Sequence, residues 1–132
     1  MSGNQLLVVE DEAVIQLLVE DALGDGGYEV ASATTGAEAI EFLENPAQQF
    51  AGIVTDVRLG GHLTGWDIAR HARELNTEIC VVYVSGDSGD EWRSQGVPGS
   101  IFIQKPFAAA QIVTAISTLL NAAGGQPGHA TD

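Results

Sequence analysis

Short apolar runs alternate along the chain with longer stretches whose apolar residues recur at helical spacing. Residues 5–9, QLLVV, predict a first strand buried on both faces. After Glu10, Asp11 and Glu12, apolar residues at 15, 18, 19, 22 and 23 predict a helix stopped by Gly26 and Gly27. Residues 28–33, YEVASA, alternate weakly and read as a second strand. Thr35 and Gly36 lead into a second helix, with Ala37, Ile40 and Leu43 on one face, glutamates mostly outside, and Pro46 at its end. A third strand, 51–55, closes on Asp56, and the loop 57–65 carries three glycines. GWDIARHAREL predicts a third helix with Ile68, Ala69, Ala72 and Leu75 inward. Residues 78–85 are a continuous apolar run and read as the fourth strand. Residues 86–99 have little apolar face and predict only a short helix near Asp90 to Gln95. SIFIQ, 100–104, is the fifth strand, and Ile112, Ile116, Leu119 and Leu120 set the face of a last helix. The expected domain is 1–121, with a polar, Gly-rich tail over 122–132 that is expected to be disordered.

Nearly continuous apolar strands separated by amphipathic helices imply a parallel sheet covered on both sides. Right-handed crossovers then limit the topology to a doubly wound α/β fold. With 132 residues and 45% hydrophobic composition, the chain suits one domain with a substantial core. No apolar run reaches the roughly 18–20 residues of a membrane span, and the N-terminus lacks the basic region of a secretory signal. A cytoplasmic location is therefore expected. Cys80, inside an apolar run, reads as a small core hydrophobe. The net charge of −13, from 18 acids against five bases, argues against direct nucleic-acid binding, which needs basic patches. It also makes each base informative, and Lys105 is the only lysine.

Polar residues follow four of the predicted strands: Glu10 and Asp11 after the first, Asp56 after the third, Ser85 after the fourth and Lys105 after the fifth. In a parallel sheet these ends share one edge, where ligands and chemistry gather. Clustered carboxylates repel one another, and a divalent cation relieves that repulsion. Mg²⁺ accepts a few carboxylates together with water and phosphate oxygens. With Asp11 and Asp56 as ligands, it can bridge an incoming phosphoryl group. A carboxylate can attack phosphorus to form an acyl phosphate, which Lys105 and Ser85 could engage with positive charge and a donor. The spacing of His62, His71 and His129 suits no metal site.

Together, VVEDE, VTDVRLGG, VYVSGD and FIQKPF resemble the receiver domain of two-component response regulators, over about residues 5 to 121. The resemblance implies a flavodoxin-like (βα)5 fold with strand order 2-1-3-4-5. It implies that Asp56 is the phosphoacceptor and Asp11 a direct ligand of Mg²⁺ (or Mn²⁺), with Glu10 acting through water and Arg58 through its backbone carbonyl. Ser85 matches the family's hydroxyl, Lys105 its lysine and Phe102 its aromatic switch position, although core packing explains Phe102 equally well. The implied donor is a sensor histidine kinase or a histidine phosphotransfer protein, and the implied output is binding to an unknown downstream protein through the face of helix four, strand five and helix five. The chain is expected to be a stand-alone receiver and not an enzyme with an external product, although it catalyses its own phosphoryl transfer and slow dephosphorylation. Two departures stand out: Gly60 occupies the place of a common proline, and the loop to Gly65 is one residue longer than usual. Both are expected to loosen the loop and alter the metal site.

Three other functions compete. A haloacid-dehalogenase-type phosphohydrolase needs a second acid two residues after its nucleophile, where Arg58 stands. A flavin module would not place three acids in its phosphate loop. A pseudo-receiver that only binds partners is the remaining alternative, kept open by the altered loop.

Overall fold

In the computed structural model, which describes residues 4–124, the apolar runs form five parallel strands. These are β1 (Gln5–Val9), β2 (Glu29–Ala33), β3 (Gly52–Asp56), β4 (Cys80–Ser85) and β5 (Ile101–Gln104), in the order β2-β1-β3-β4-β5. The connections are α1 (Ala13–Asp25), α2 (Gly36–Glu44), α3 (Gly65–Leu75) and α4 (Trp92–Gln95), and α5 (Ala109–Gly124) follows β5. One 3-10 turn, Gly89–Glu91, precedes the four-residue α4. The doubly wound fold and strand order match the expectation. The fourth strand begins at Cys80, later than the expected 78. The last helix runs to Gly124, past the expected boundary at 121; the rest of the expected tail, including His129, lies outside the described residues.

Side chains alternate across the sheet and split the core in two. Leu7, Val9, Ile53, Val81 and Tyr83 face one side, with Trp66, Ile68 and Ala72 of α3 and Ala39 of α2. Leu6, Val8, Val54, Val82 and Val84 face the other, with Val19 and Leu23 of α1 and Ile112 and Ile116 of α5. Both faces of the central strands are dry, so those strands need no polar alternation. At the sheet's outer edge, β2 is only half-covered, which explains its weaker pattern.

Three helix faces differ in detail from their spacing. Leu18 and Leu75, assigned to apolar faces, are exposed; Leu75 borders a surface groove with Leu43, Phe50 and Ile79. Ala37 is exposed too, while Gly36 and Ala39 provide the buried side of α2. A helix this short rests on whichever residues meet the sheet, and periodicity alone leaves that rotation open. At the start of α3, Thr64 and Asp67 form a reciprocal capping box. The backbone hydrogen bond from Thr64 leads the causes that hold the Asp67 carboxyl below its usual pKa.

Candidate functional site

The carboxyl ends of β1, β3, β4 and β5 bring the separated polar residues together, because parallel strands all end on one edge. Glu10 and Asp56 are buried there, at 2% and 5% exposure, whereas Asp11 is open to solvent. One carboxylate oxygen from each of Glu10, Asp11 and Asp56 lies within 4.8 Å of the others. This compact, all-oxygen, anionic donor set fits a hard divalent cation such as Mg²⁺ or Mn²⁺.

Lys105 supplies the compensating charge. Its Nζ donates to Asp56 Oδ2 at 2.9 Å and lies 3.6 Å from carboxylate oxygens of both Glu10 and Glu12. Burial alone would lower the Lys105 pKa; the hydrogen bond and charge of Asp56, with Glu10 and Glu12, outweigh it and raise the pKa. The Lys105–Pro106 peptide is cis. Desolvation pushes Glu10 up to about 7, reinforced by the neighbouring charge of Asp56 and opposed by a backbone hydrogen bond from Glu12 and by Lys105. The Gln16 side chain donates to the carbonyls of Glu10 and Ala33, at 3.1 and 3.2 Å, tying α1 to the ends of β1 and β2.

Two glycines shape the third wall. Gly65 opens α3 directly against β3, and a Cβ there would lie 2.3 Å from the Asp56 carbonyl oxygen, so no larger residue fits without moving that backbone. Gly60 has φ +82°, a region closed to proline, whose ring fixes φ near about −65°. The departure from proline therefore has a conformational reason: the loop turns through a left-handed residue beside Asp11.

Ser85 closes β4 as expected and is buried, but its hydroxyl faces its own loop. The oxygen lies 3.2 Å from Asp87 Oδ1 and 3.1 Å from Ser88 Oγ. The Arg58 backbone N–H donates to Asp56 Oδ1 at 3.3 Å, and its side chain reaches over to Asp87, with Nε 2.8 and 3.0 Å from the two carboxylate oxygens. Hydrogen bonding to Arg58 is the largest influence holding the Asp87 carboxyl below its ordinary pKa, with Ser88 and Ser85 adding to it. Asp87 and Ser88 are site residues that the periodicity does not reveal. The available signal was charge: in a chain with five bases, Arg58 invites a search for its acid.

Phe102 is half-buried and packs against the core on the side of α2 and α3. Its ring lies 6.2 Å from that of Trp92, tilted by 31°, so one side chain serves packing and also touches α4. Gln104 donates to the Gly86 carbonyl at 2.7 Å and steadies the loop after Ser85. His62 is exposed, and His71 pairs with Glu44 at 2.8 Å and lies near Glu74, so neither joins the acidic site. Among the described residues, no helix is long and apolar enough to cross a membrane.

Residues 6–117 match the family described as the response regulator receiver domain. A response regulator receiver protein from Sinorhizobium medicae WSM419 is 43% identical with a TM-score of 0.88, covering 92% of this chain and 97% of that one. A receiver domain protein from Clostridium thermocellum, 23% identical with a TM-score of 0.81 over 90% of this chain and 95% of that one, shares the fold. Sensor kinase CckA of Brucella abortus (strain 2308) is 30% identical over 124 residues, which is 91% of this chain and 13% of that protein. A probable transcriptional regulatory protein of Picosynechococcus is 29% identical over 123 residues, 88% of this chain and 49% of that protein. The chain thus spans less than half the length of these two curated relatives. A family match over most of the chain, on a fold with the same strand order and an acidic pocket at its carboxyl edge, makes this chain a member of the response regulator receiver domains, the switch modules of two-component systems.

Proposed function

We propose that Asp56 accepts a phosphoryl group from a histidine kinase or phosphotransfer protein, and that the modification changes the partner-binding face of the domain. The observation that carries this reading is the pairing of a buried aspartate with the chain's only lysine, 2.9 Å apart, beside two further acids. One Asp56 carboxylate oxygen forms the new bond to phosphorus. The bond from phosphorus to the donor's imidazole nitrogen breaks, and its electron pair leaves with that nitrogen. Lys105, already positively charged beside Asp56, then neutralises phosphoryl oxygens, and Ser85 can donate to one of them.

Asp11 and Asp56, with Glu10 through water and the Arg58 backbone carbonyl, would hold Mg²⁺ or Mn²⁺. The bound cation supplies charge neutralisation for the phosphoryl oxygens. The chain provides the acceptor and the compensating groups, so it works as a switch and catalyses only its own modification and slow dephosphorylation. A conformational shift would travel through Phe102 to Trp92 and the surface of α4, β5 and α5. The downstream occupant of that surface is a protein, in keeping with the chain's strong negative charge.

Intact mass after incubation with acetyl phosphate tests the reading. The expected result is a gain of one phosphoryl group with Mg²⁺, absent with EDTA and absent in Asp56→Asn. No gain in folded wild-type protein under any condition would leave the partner-only pseudo-receiver as the function.

A further inference from the structure

We infer that Asp87 is a positioning residue that restrains both the Ser85 hydroxyl and the Arg58 side chain in the resting state, and so slows phosphorylation of Asp56. The inference rests on the reading of Asp56 as phosphoacceptor and adds a control on it. Three observations carry it. Ser85 has one hydroxyl proton, and its oxygen sits 3.2 Å from Asp87 Oδ1 and 3.1 Å from Ser88 Oγ. That proton is committed within the loop and cannot at the same time be donated to a phosphoryl group on Asp56. Ser88, fully buried, donates to the same Asp87 oxygen at 3.0 Å, and the Asp87 backbone N–H points back to Ser85 Oγ at 3.3 Å. The loop after β4 is therefore closed on itself around one carboxylate.

Arg58 provides the second restraint. It stands two residues after Asp56 with its backbone N–H on the Asp56 carboxylate, yet its guanidinium is held by Asp87 from the neighbouring loop. The two loops that flank Asp56 are thereby joined across the mouth of the site. Opening the Asp87 contacts releases a hydroxyl donor and a cation next to the acceptor. Both favour an incoming dianionic phosphoryl group.

The test measures the rate of phosphoryl gain from acetyl phosphate in Mg²⁺ by intact mass. Asp87→Ala should react about two- to fivefold faster than wild type, the scale expected for an exposed ion pair with attached hydrogen bonds. Asp87→Glu should stay close to wild type, which separates a charge effect from a loss of side-chain volume. In a Ser85→Ala, Arg58→Ala background, Asp87→Ala should add nothing, because nothing remains to be released. Raising salt from about 0.01 to about 1 M should bring the wild-type rate toward that of Asp87→Ala. An Asp87→Ala rate equal to wild type, or an acceleration that persists in the double-substituted background, overturns the inference. If wild type gains no mass at all, the switch reading has failed, and the restraint is judged on the unmodified protein. There, amide exchange at Asp87 should speed up in Arg58→Ala, and unchanged exchange overturns the inference independently.

Discussion

Two ion pairs meet at the same sheet edge with nearly the same contact distance and opposite surroundings. Lys105 Nζ lies 2.9 Å from Asp56 with side chains 20% and 7% exposed, whereas Arg58 Nε lies 2.8 Å from Asp87 with side chains 63% and 61% exposed. Distance does not separate them; solvent does. In the first pair, few waters can take over the job of the partner, so removing one charge strands the other. In the second, water and salt replace the partner readily. The buried pair is suited to holding charge in place for chemistry, and the exposed pair to opening and closing.

Removing Lys105 should give the largest effect. Lys105→Met leaves Glu10 and Asp56 facing each other without a cation, and urea unfolding in EDTA should show a loss on the order of 3 kcal/mol. A loss as small as that from breaking the exposed pair would erase the contrast.

The next largest effect concerns Glu10 and pH. Its folded pKa, about 7, lies above the ordinary 4.5, so the folded protein takes up this proton before the unfolded chain does. Its contribution to stability is then fully present below 4.5 and is lost as the pH rises through about 7. The unfolding free energy of metal-free wild type, measured against Glu10→Gln from pH 5 to 8, should therefore fall with rising pH by on the order of 2 kcal/mol. Asp67, whose pKa is lowered, has the opposite sign and loses its contribution as the pH falls through its folded pKa.

Mg²⁺ should reverse the first two effects in part. At tenfold excess over its Kd it should raise wild-type stability by roughly 1.4 kcal/mol, an increment that calorimetry should find abolished by EDTA and much reduced in Asp11→Ala. The smallest effect belongs to the exposed pair: Arg58→Ala should lower stability only slightly in low salt and by nothing measurable in about 1 M salt. A larger cost that salt does not screen would mean that the Arg58–Asp87 pair is structural.

The buried pair is legible in the sequence. Asp56 and Lys105 each end an apolar run, and parallel strands must deliver such ends to one edge. The exposed pair is not. Arg58 and Asp87 belong to loops 29 residues apart in sequence, and nothing local directs one to the other. Ser85 reads from the sequence as a site hydroxyl, but its orientation toward Asp87 and Ser88 depends on the closed shape of the loop. Gly60 stood out as a departure from proline, and its positive φ supplies the reason. Leu18 and Leu75 fitted helical spacing yet face solvent, because the rotation of a short amphipathic helix is set by the groove that receives it.

By itself, the sequence determined the alternation of strands and helices, the parallel doubly wound sheet and the strand-end residues Glu10, Asp11, Asp56, Ser85 and Lys105 at its carboxyl edge. These follow from periodicity and chirality, which act over a few residues at a time. Tertiary structure alone decided which charges are buried, which loop holds which side chain and where each short helix turns its face. Those outcomes depend on dielectric surroundings and on contacts between distant segments, and both exist only once the chain has packed.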